Sequence, residues 1–204
     1  MKKQLKPKII FSNDLIEQQV NYDLMAYQKI IKKPIEWPID LEFFVKSLWD
    51  LDVDYQDEIK DKNSNENIVG CLLVKSKLIQ INLQENKTEG RTNFTIAHEA
   101  GHASLHSTLS MSSTTNEIDE SIYCRESDKK QNDKWRIEQQ ANHYACCLLM
   151  RKQKLFNLID SNSVLDLDLK SDELMKSFAV SRYALELRLH KLGFKTMNNK
   201  YNFT

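Results

Sequence analysis

The sequence has few of the residues that interrupt regular structure, with only 4 glycines and 3 prolines among 204 residues. Folds made only of β-strands need many turns rich in these residues, so their scarcity disfavours such folds and favours long helices. The chain also lacks any run approaching the roughly 18 apolar residues that span a bilayer, which predicts no membrane helix. Its 4 cysteines form no C-x-x-C pair, and we interpret them as reduced thiols.

An excess of charge of one sign is absent too. The 29 basic and 29 acidic side chains balance to a formal net charge of zero, which argues against a protein whose main task is to coat nucleic acid or an acidic membrane. The basic start is followed by an apolar run of only Ile9-Ile10-Phe11, which is shorter than the core of a secretory signal. We therefore expect a cytoplasmic protein made of one domain, or of one domain with a small helical appendage.

The spacing of apolar residues predicts a mixed α+β fold that is mostly helical. The predicted helices cover residues 13–31, 41–48, 93–106 and 135–150, and two short helices follow between 151 and 193. The predicted strands cover 51–56, 69–75 and 78–83, and the last two form a hairpin. Caps are expected at Ser12 or Asn13, at Asp40 and at Gly193. Residues 107–134 have no steady period and form a long connection, which predicts a flap, a local helix or disorder.

The residues that carry chemistry are His98-Glu99-Ala100-Gly101-His102, an H-E-x-x-H motif inside the third predicted helix. Positions i and i+4 share one helical face, about 6 Å apart at the Cβ atoms, so His98 and His102 can point at one metal ion. Glu99 lies beside that ion without having to ligate it, and it can take a proton from a water whose pKa the metal lowers towards about 7. The alternative is a surface helix with two ordinary histidines, but this helix is largely apolar and should be buried.

A hydrolytic zinc site usually has three protein ligands and one open position. His106 lies roughly 12 Å from His98 along a straight helix, so we interpret it as a helix-end or core histidine and not as the third ligand. Glu138, in the next strong helix, is the better candidate, and Asn142 one turn later can hydrogen-bond a ligating histidine from behind. The alternative for Glu138 is an acidic residue that only stabilises the first turn of its helix.

Three weaker signals leave alternatives open. His143 could polarise a scissile carbonyl, although it is five residues after Glu138 and so points away from the ligand face. Cys124 could place its thiolate in the open metal position if its segment folds over the cleft. The last two helices could bind DNA, although interspersed acidic residues favour packing against the rest of the protein. Their basic residues are Arg182, Arg188 and Lys191.

These motifs resemble those of the ImmA/IrrE-type metallo-endopeptidases. The run 91–102, ending in Leu105-His106, is similar to the active-site helix of that family, and the run 138–150 is similar to its second motif. The predicted hairpin and the C-terminal helices add to the likeness, which covers about residues 38–193. The sequence departs from the family pattern at Gln140, where an acidic residue is frequent, and at Arg151, where proline is common.

The resemblance implies an α+β, thermolysin-like minimal metallopeptidase domain with a small β-sheet and a helical C-terminal part. It implies zinc on His98, His102 and Glu138, with Glu99 as general base, and the same donors would also accept manganese. The corresponding division of the chain is an N-terminal arm and helix at 1–37, the metallopeptidase domain at 38–150 and a C-terminal helical region at 151–204.

By the same resemblance we expect a zinc-dependent endopeptidase that cuts a partner protein, with a helix-turn-helix transcriptional repressor as the substrate. An extended substrate segment could pair along an exposed strand of the predicted hairpin. The alternative is a regulator that cleaves nothing, in which zinc is structural and the C-terminal helices contact DNA or a protein partner. The sequence predicts neither the substrate-binding residues nor the oligomeric state.

Overall fold

The structure, a computed structural model, describes residues 11–60, 65, 67–110, 121–123, 133–159 and 167–194. Its helices are α1 (Asn13–Ile31), α2 (Leu41–Trp49), α3 (Glu89–Ser110), α4 (Asp133–Leu149), α5 (Lys152–Leu158), α6 (Leu167–Phe178) and α7 (Arg182–Lys191). Its strands are β1 (Asp52–Gln56), β2 (Gly70–Leu73), β3 (Leu78–Asn82) and β4 (Ser121–Tyr123). The mixed α+β class predicted from the sequence is confirmed. None of the helices within the described residues is long and apolar enough to cross a membrane.

Side-chain caps fix where the first two helices begin. The Ser12 hydroxyl accepts a hydrogen bond from the Leu15 N–H at 3.3 Å. The Asp40 carboxylate accepts one from the Phe43 N–H at 3.0 Å. Each bond satisfies a backbone donor that has no partner inside its helix, so the expected caps at Ser12 and Asp40 are confirmed. Gly193, with a φ of 80°, follows α7 in the left-handed conformation that favours glycine, as expected.

The four strands form one sheet in the order β1-β3-β2-β4. The predicted hairpin is confirmed, because β2 and β3 are antiparallel with Gly70 opposite Ile81 and Leu73 opposite Leu78. β1 lies parallel to β3, and β4 lies antiparallel to β2 with Leu72 opposite Ile122. The expectation that one hairpin strand has an exposed edge for substrate is therefore wrong. Each hairpin strand has a neighbour on both sides, because the chain returns after α3 to add β4.

Small residues bring α3 and α4 into close contact at the centre of the molecule. A Cβ built on Gly101 of α3 would lie 3.1 Å from the Cα of Ala141 and 3.1 Å from the Cβ of Tyr144, both on α4. On its other side α3 meets β2, where a Cβ on Gly70 would lie 2.5 Å from Thr95 Cγ2. The glycines therefore set how closely the helix approaches both neighbours, and the predicted burial of α3 and α4 is confirmed.

The C-terminal helices pack against the start of α3. A Cβ on Gly90 would lie 2.6 Å from the backbone nitrogen of Ser181, in the turn between α6 and α7. Asn93 donates a hydrogen bond from Nδ2 to the Ala179 carbonyl at 3.0 Å in the same turn. Three short helices follow α4 instead of the two predicted, because Arg151 has an extended backbone (φ −54°, ψ 129°) that separates α4 from α5.

Candidate metal centre

α3 places two imidazoles and a carboxyl group next to each other inside the protein. His98 and His102, one helical turn apart, have their Nε2 atoms 3.0 Å apart and their ring centroids 4.7 Å apart. Glu99 follows His98 directly, and all three side chains are buried. The helical period predicts that two histidines at i and i+4 share a face, and the structure shows both rings turned towards the same point.

α4 supplies a third donor from the facing helix. Glu138 Oε2 lies 3.2 Å from His98 Nε2, and Glu138 Oε1 lies 3.6 Å from His102 Nε2. Tetrahedral ligands at about 2.0–2.1 Å from a zinc ion are about 3.3 Å from one another, so the three groups have the spacing of such a site. Two imidazole nitrogens and one carboxylate oxygen are also donors that zinc accepts, and three of them leave one position of a tetrahedron open.

Each of the two imidazoles has a polar contact at Nδ1, the ring nitrogen on the side away from the converging Nε2 atoms. His98 Nδ1 is 2.9 Å from Asn142 Oδ1 on α4, one turn after Glu138. His102 Nδ1 is 3.1 Å from His106 Nδ1, and His106 Nε2 is 3.0 Å from Gln140 Oε1. The contacts through His106 were missed in the sequence, although its position four residues after His102 places the two rings on one face.

Glu99 has no partner where a partner is expected. Both of its carboxylate oxygens are buried, and neither has a hydrogen-bond partner of good geometry within the residues that the structure describes, although the Leu72 backbone is near enough to lower its pKa slightly. Burial raises the pKa of Glu99 to about 8; the nearby His98 imidazole opposes this rise, and the charge of Glu138 adds to it. A buried carboxyl group left unpaired beside three donor atoms is the kind of group that meets water or substrate in a working site.

His102 and Glu138 have the protonation states that metal binding requires. Burial lowers the pKa of His102 to about 4, so its ring is neutral at pH 7. Burial alone would raise the pKa of Glu138, but its close contacts with the imidazoles of His102 and His98 outweigh burial and bring the pKa to about 2. Neutral imidazoles and ionised carboxylates are the forms that ligate a metal ion.

The remaining candidates from the sequence lie elsewhere. His106 is buried behind His102 and is not one of the three converging donors. His143 faces α7, with Nδ1 at 3.3 Å from Lys191 Nζ. Of the basic residues considered for DNA, Arg188 is buried and Arg182 pairs with Glu186 at 2.9 Å, which favours the packing role. Cys124 and the basic arm before residue 11 lie outside the described residues.

A second group of donors lies between α1, α4 and α7. Glu17, His143 and Cys147 bring their ligand atoms within 4.8 Å of one another. Arg188 enters this group, with Nη1 at 2.5 Å from Glu17 Oε1 and at 3.2 Å from Cys147 Sγ. Burial raises the pKa of the Cys147 thiol far above its ordinary value, although Arg188 lowers it in part, so the thiol stays protonated at neutral pH.

Comparison with known proteins adds two findings. The family model of the IrrE N-terminal-like domain, a peptidase family numbered M78, matches residues 72–190. A solved Mycobacterium tuberculosis transcriptional regulator is similar in fold, with a TM-score of 0.52 at 15% sequence identity over 92% of this chain and 52% of that one. This chain thus spans about half the length of that regulator, and the likeness concerns the fold alone. No curated protein matches the sequence.

Proposed function

The chain belongs to the IrrE N-terminal-like family of M78 peptidases, and on this basis we propose that it is a zinc-dependent endopeptidase that cuts a partner protein. One observation carries the proposal. His98, His102 and Glu138 converge with the spacing of a tetrahedral metal site, and Glu99 lies next to them with both carboxylate oxygens unpaired. A structural metal site would need no such unpaired acid, whereas a hydrolytic site needs one.

In this proposal His98, His102 and Glu138 hold zinc or, with the same donors, manganese. When bound, the metal supplies a Lewis acid that polarises the scissile carbonyl and lowers the pKa of water. Asn142 accepts a hydrogen bond from His98 Nδ1–H at 2.9 Å, which leaves the lone pair of His98 Nε2 free for the metal. We therefore assign Asn142 the task of orienting His98.

Glu99 moves the protons in the proposed reaction. Its ionised carboxylate takes a proton from the attacking water, the water oxygen bonds to the carbonyl carbon, and Glu99 then gives the proton to the leaving amine as the C–N bond breaks. Burial raises the pKa of Glu99 in the metal-free protein, and the charge of a bound metal ion would lower it again towards neutral pH, where the group can both take and give a proton. The reaction consumes one water and one peptide bond and leaves Glu99 unchanged.

We propose a helix-turn-helix transcriptional repressor as the substrate, in the cytoplasm, by resemblance to the ImmA/IrrE-type peptidases. The similarity to a solved transcriptional regulator is one of fold alone and identifies no partner. We also propose that the chain consists of an N-terminal arm and helix at 1–37, a metallopeptidase domain with a thermolysin-like arrangement at 38–150, and a C-terminal helical region at 151–204. A regulator that binds DNA through α7 is the weaker candidate, because Arg188 is buried.

The test compares three purified variants on the helix-turn-helix repressor encoded nearest to this chain, with products read by mass spectrometry. Glu99→Gln should retain the metal and lose cleavage by about 10²–10⁴-fold, because the amide cannot accept a proton. Glu36→Gln, a substitution at an exposed acid, is the matched control and should cleave like the parent. A chelator should stop the parent and Glu36→Gln alike. Cleavage by Glu99→Gln at the parental rate would show that the assigned base is wrong.

A further inference from the structure

The two imidazoles of the candidate metal centre are held from behind in different ways. His98 contacts an amide oxygen on α4 directly, that of Asn142. His102 reaches one only through a second histidine, since its Nδ1 contacts His106 Nδ1 at 3.1 Å and His106 Nε2 contacts Gln140 Oε1 at 3.0 Å. All three members of this chain of contacts are buried. Bulk water therefore does not replace the partners along it.

The protons along these contacts can be arranged consistently in one direction. An amide oxygen only accepts, so Gln140 Oε1 requires the proton of a neutral His106 on Nε2. His106 Nδ1 is then a lone pair, and it can only accept a proton from His102 Nδ1. With Nδ1 protonated, a neutral His102 has its lone pair on Nε2, the atom that faces His98 and Glu138. The opposite arrangement would set a His106 lone pair against the Gln140 oxygen and leave His102 Nε2 protonated.

We propose that His106 and Gln140 are positioning residues that hold His102 in the tautomer whose Nε2 lone pair is turned towards the metal. This inference rests on the proposed metal centre and adds two residues to it, neither of which touches metal or substrate. Gln140 sets the direction, because the atom that it turns towards His106 Nε2 is its amide oxygen, and an amide oxygen only accepts. His106 transmits that direction across one turn of α3.

Four variants test the proposal through zinc affinity, measured by competition with a chromophoric chelator. Gln140→Met removes the acceptor at similar size, and His106→Phe removes the connection, so each should weaken zinc binding by about 10–100-fold. Gln140→Glu keeps an acceptor at the same position and should bind zinc at least as tightly as the parent. Gln139→Met, at the exposed neighbouring position on α4, is the matched control and should leave the affinity unchanged.

Nitrogen-15 NMR of the zinc-loaded protein gives a readout that activity cannot supply. His106 should have its proton on Nε2, and the Nδ1 proton of His102 should exchange slowly. A proton on His106 Nδ1, or equal zinc affinity for the parent, Gln140→Met and His106→Phe, would overturn the proposal and leave the metal centre intact. A parent that binds no zinc would instead refute the proposed function itself. If His106→Phe does not fold, Gln140→Met and the NMR signal decide.

Discussion

Among the residues that the structure describes, two groups of three donor side chains lie close together, one buried and one partly buried, and only the buried group is suited to a metal ion. In the first, Glu138 pairs with the imidazoles of His98 and His102. In the second, Arg188 pairs with Glu17 and donates to the Cys147 thiol. The guanidinium thus occupies the place where a cation would neutralise the acid. Suitable donor atoms alone therefore do not define a metal site. A group of donors is available to a metal ion only where no cationic side chain of the protein, such as Arg188, already pairs with its acid.

The first group should lose its ion most completely when its acid is removed. Glu138→Ala deletes one of three ligands, so we expect loss of bound zinc and of cleavage by about a thousandfold or more, because two imidazoles alone bind weakly. Metal analysis of the purified variant, alongside Cys147→Ser, measures this. Cys147→Ser should keep one ion per chain, and loss of zinc in that variant would show that the two groups had been assigned the wrong way round.

Removal of the fixed cation should alter the second group. Arg188→Met takes away the partner of a partly buried acid, and we expect a loss of about 2–4 kcal/mol of unfolding free energy in the absence of metal. With the guanidinium gone, Glu17, His143 and Cys147 should accept a second zinc ion, which would return part of that stability. Denaturant melts with and without zinc, together with metal analysis, check both effects. A variant that still binds a single ion would contradict the role given to the cation.

Glu99 should make the metal-free protein less stable as pH rises. Burial raises the pKa of Glu99 from its ordinary value of 4.5 to about 8 in the folded protein, so the folded state binds more protons than the unfolded state between these two pH values. The contribution of Glu99 to the free energy of unfolding is therefore greatest below pH 4.5, and it is lost as the pH rises towards 8. Glu99→Gln mimics the protonated acid and should stabilise the metal-free protein at pH 8 by about 1–3 kcal/mol. Equal melting curves for the metal-free parent and Glu99→Gln at pH 8 would show that the buried Glu99 carboxylate does not destabilise the protein.

The smallest effect is expected where α3 and α4 touch. Gly101→Ala adds a methyl group 3.1 Å from Ala141 Cα, so α4 has to move by a few tenths of an ångström. Crowding costs about 1–3 kcal/mol and the better helix propensity of alanine returns about 1 kcal/mol, so we expect a net loss of about 1 kcal/mol. Zinc affinity should fall severalfold because Glu138 moves with α4. Unchanged affinity would indicate that the helix pair does not set the ligand spacing.

Local patterns in the sequence predicted the parts of the structure that depend on neighbouring residues. The caps at Ser12 and Asp40, the hairpin and the shared face of His98 and His102 all follow from short-range rules. The prediction of Glu138 depends on the chemistry, which needs a third ligand, because no spacing in the sequence measures the distance between two helices. The structure places its carboxylate beside both imidazoles, and its role as a ligand remains a prediction.

The features that were missed depend on contacts between distant parts of the chain. The parallel pairing of β1 with β3 and the addition of β4 depend on strand order, which hydrophobic alternation does not encode. The contact between His106 and Gln140 joins residues 34 positions apart on two helices. His106 is visible as the third member of an i, i+4, i+8 series, but Gln140 could not be paired with it before α3 and α4 were placed together.

The position of β4 has a consequence for how any peptide could join the sheet. β4 already pairs with β2, the strand that adjoins Glu99, since a Cβ on Gly70 would lie 3.6 Å from Glu99 Oε1. A peptide that binds against β2 must first displace residues 121–123, so each main-chain hydrogen bond it forms there replaces one that is lost. Such an exchange has little net driving force from the backbone. Selection among peptides at that edge would then depend on their side chains, and its speed on how often the resident strand opens.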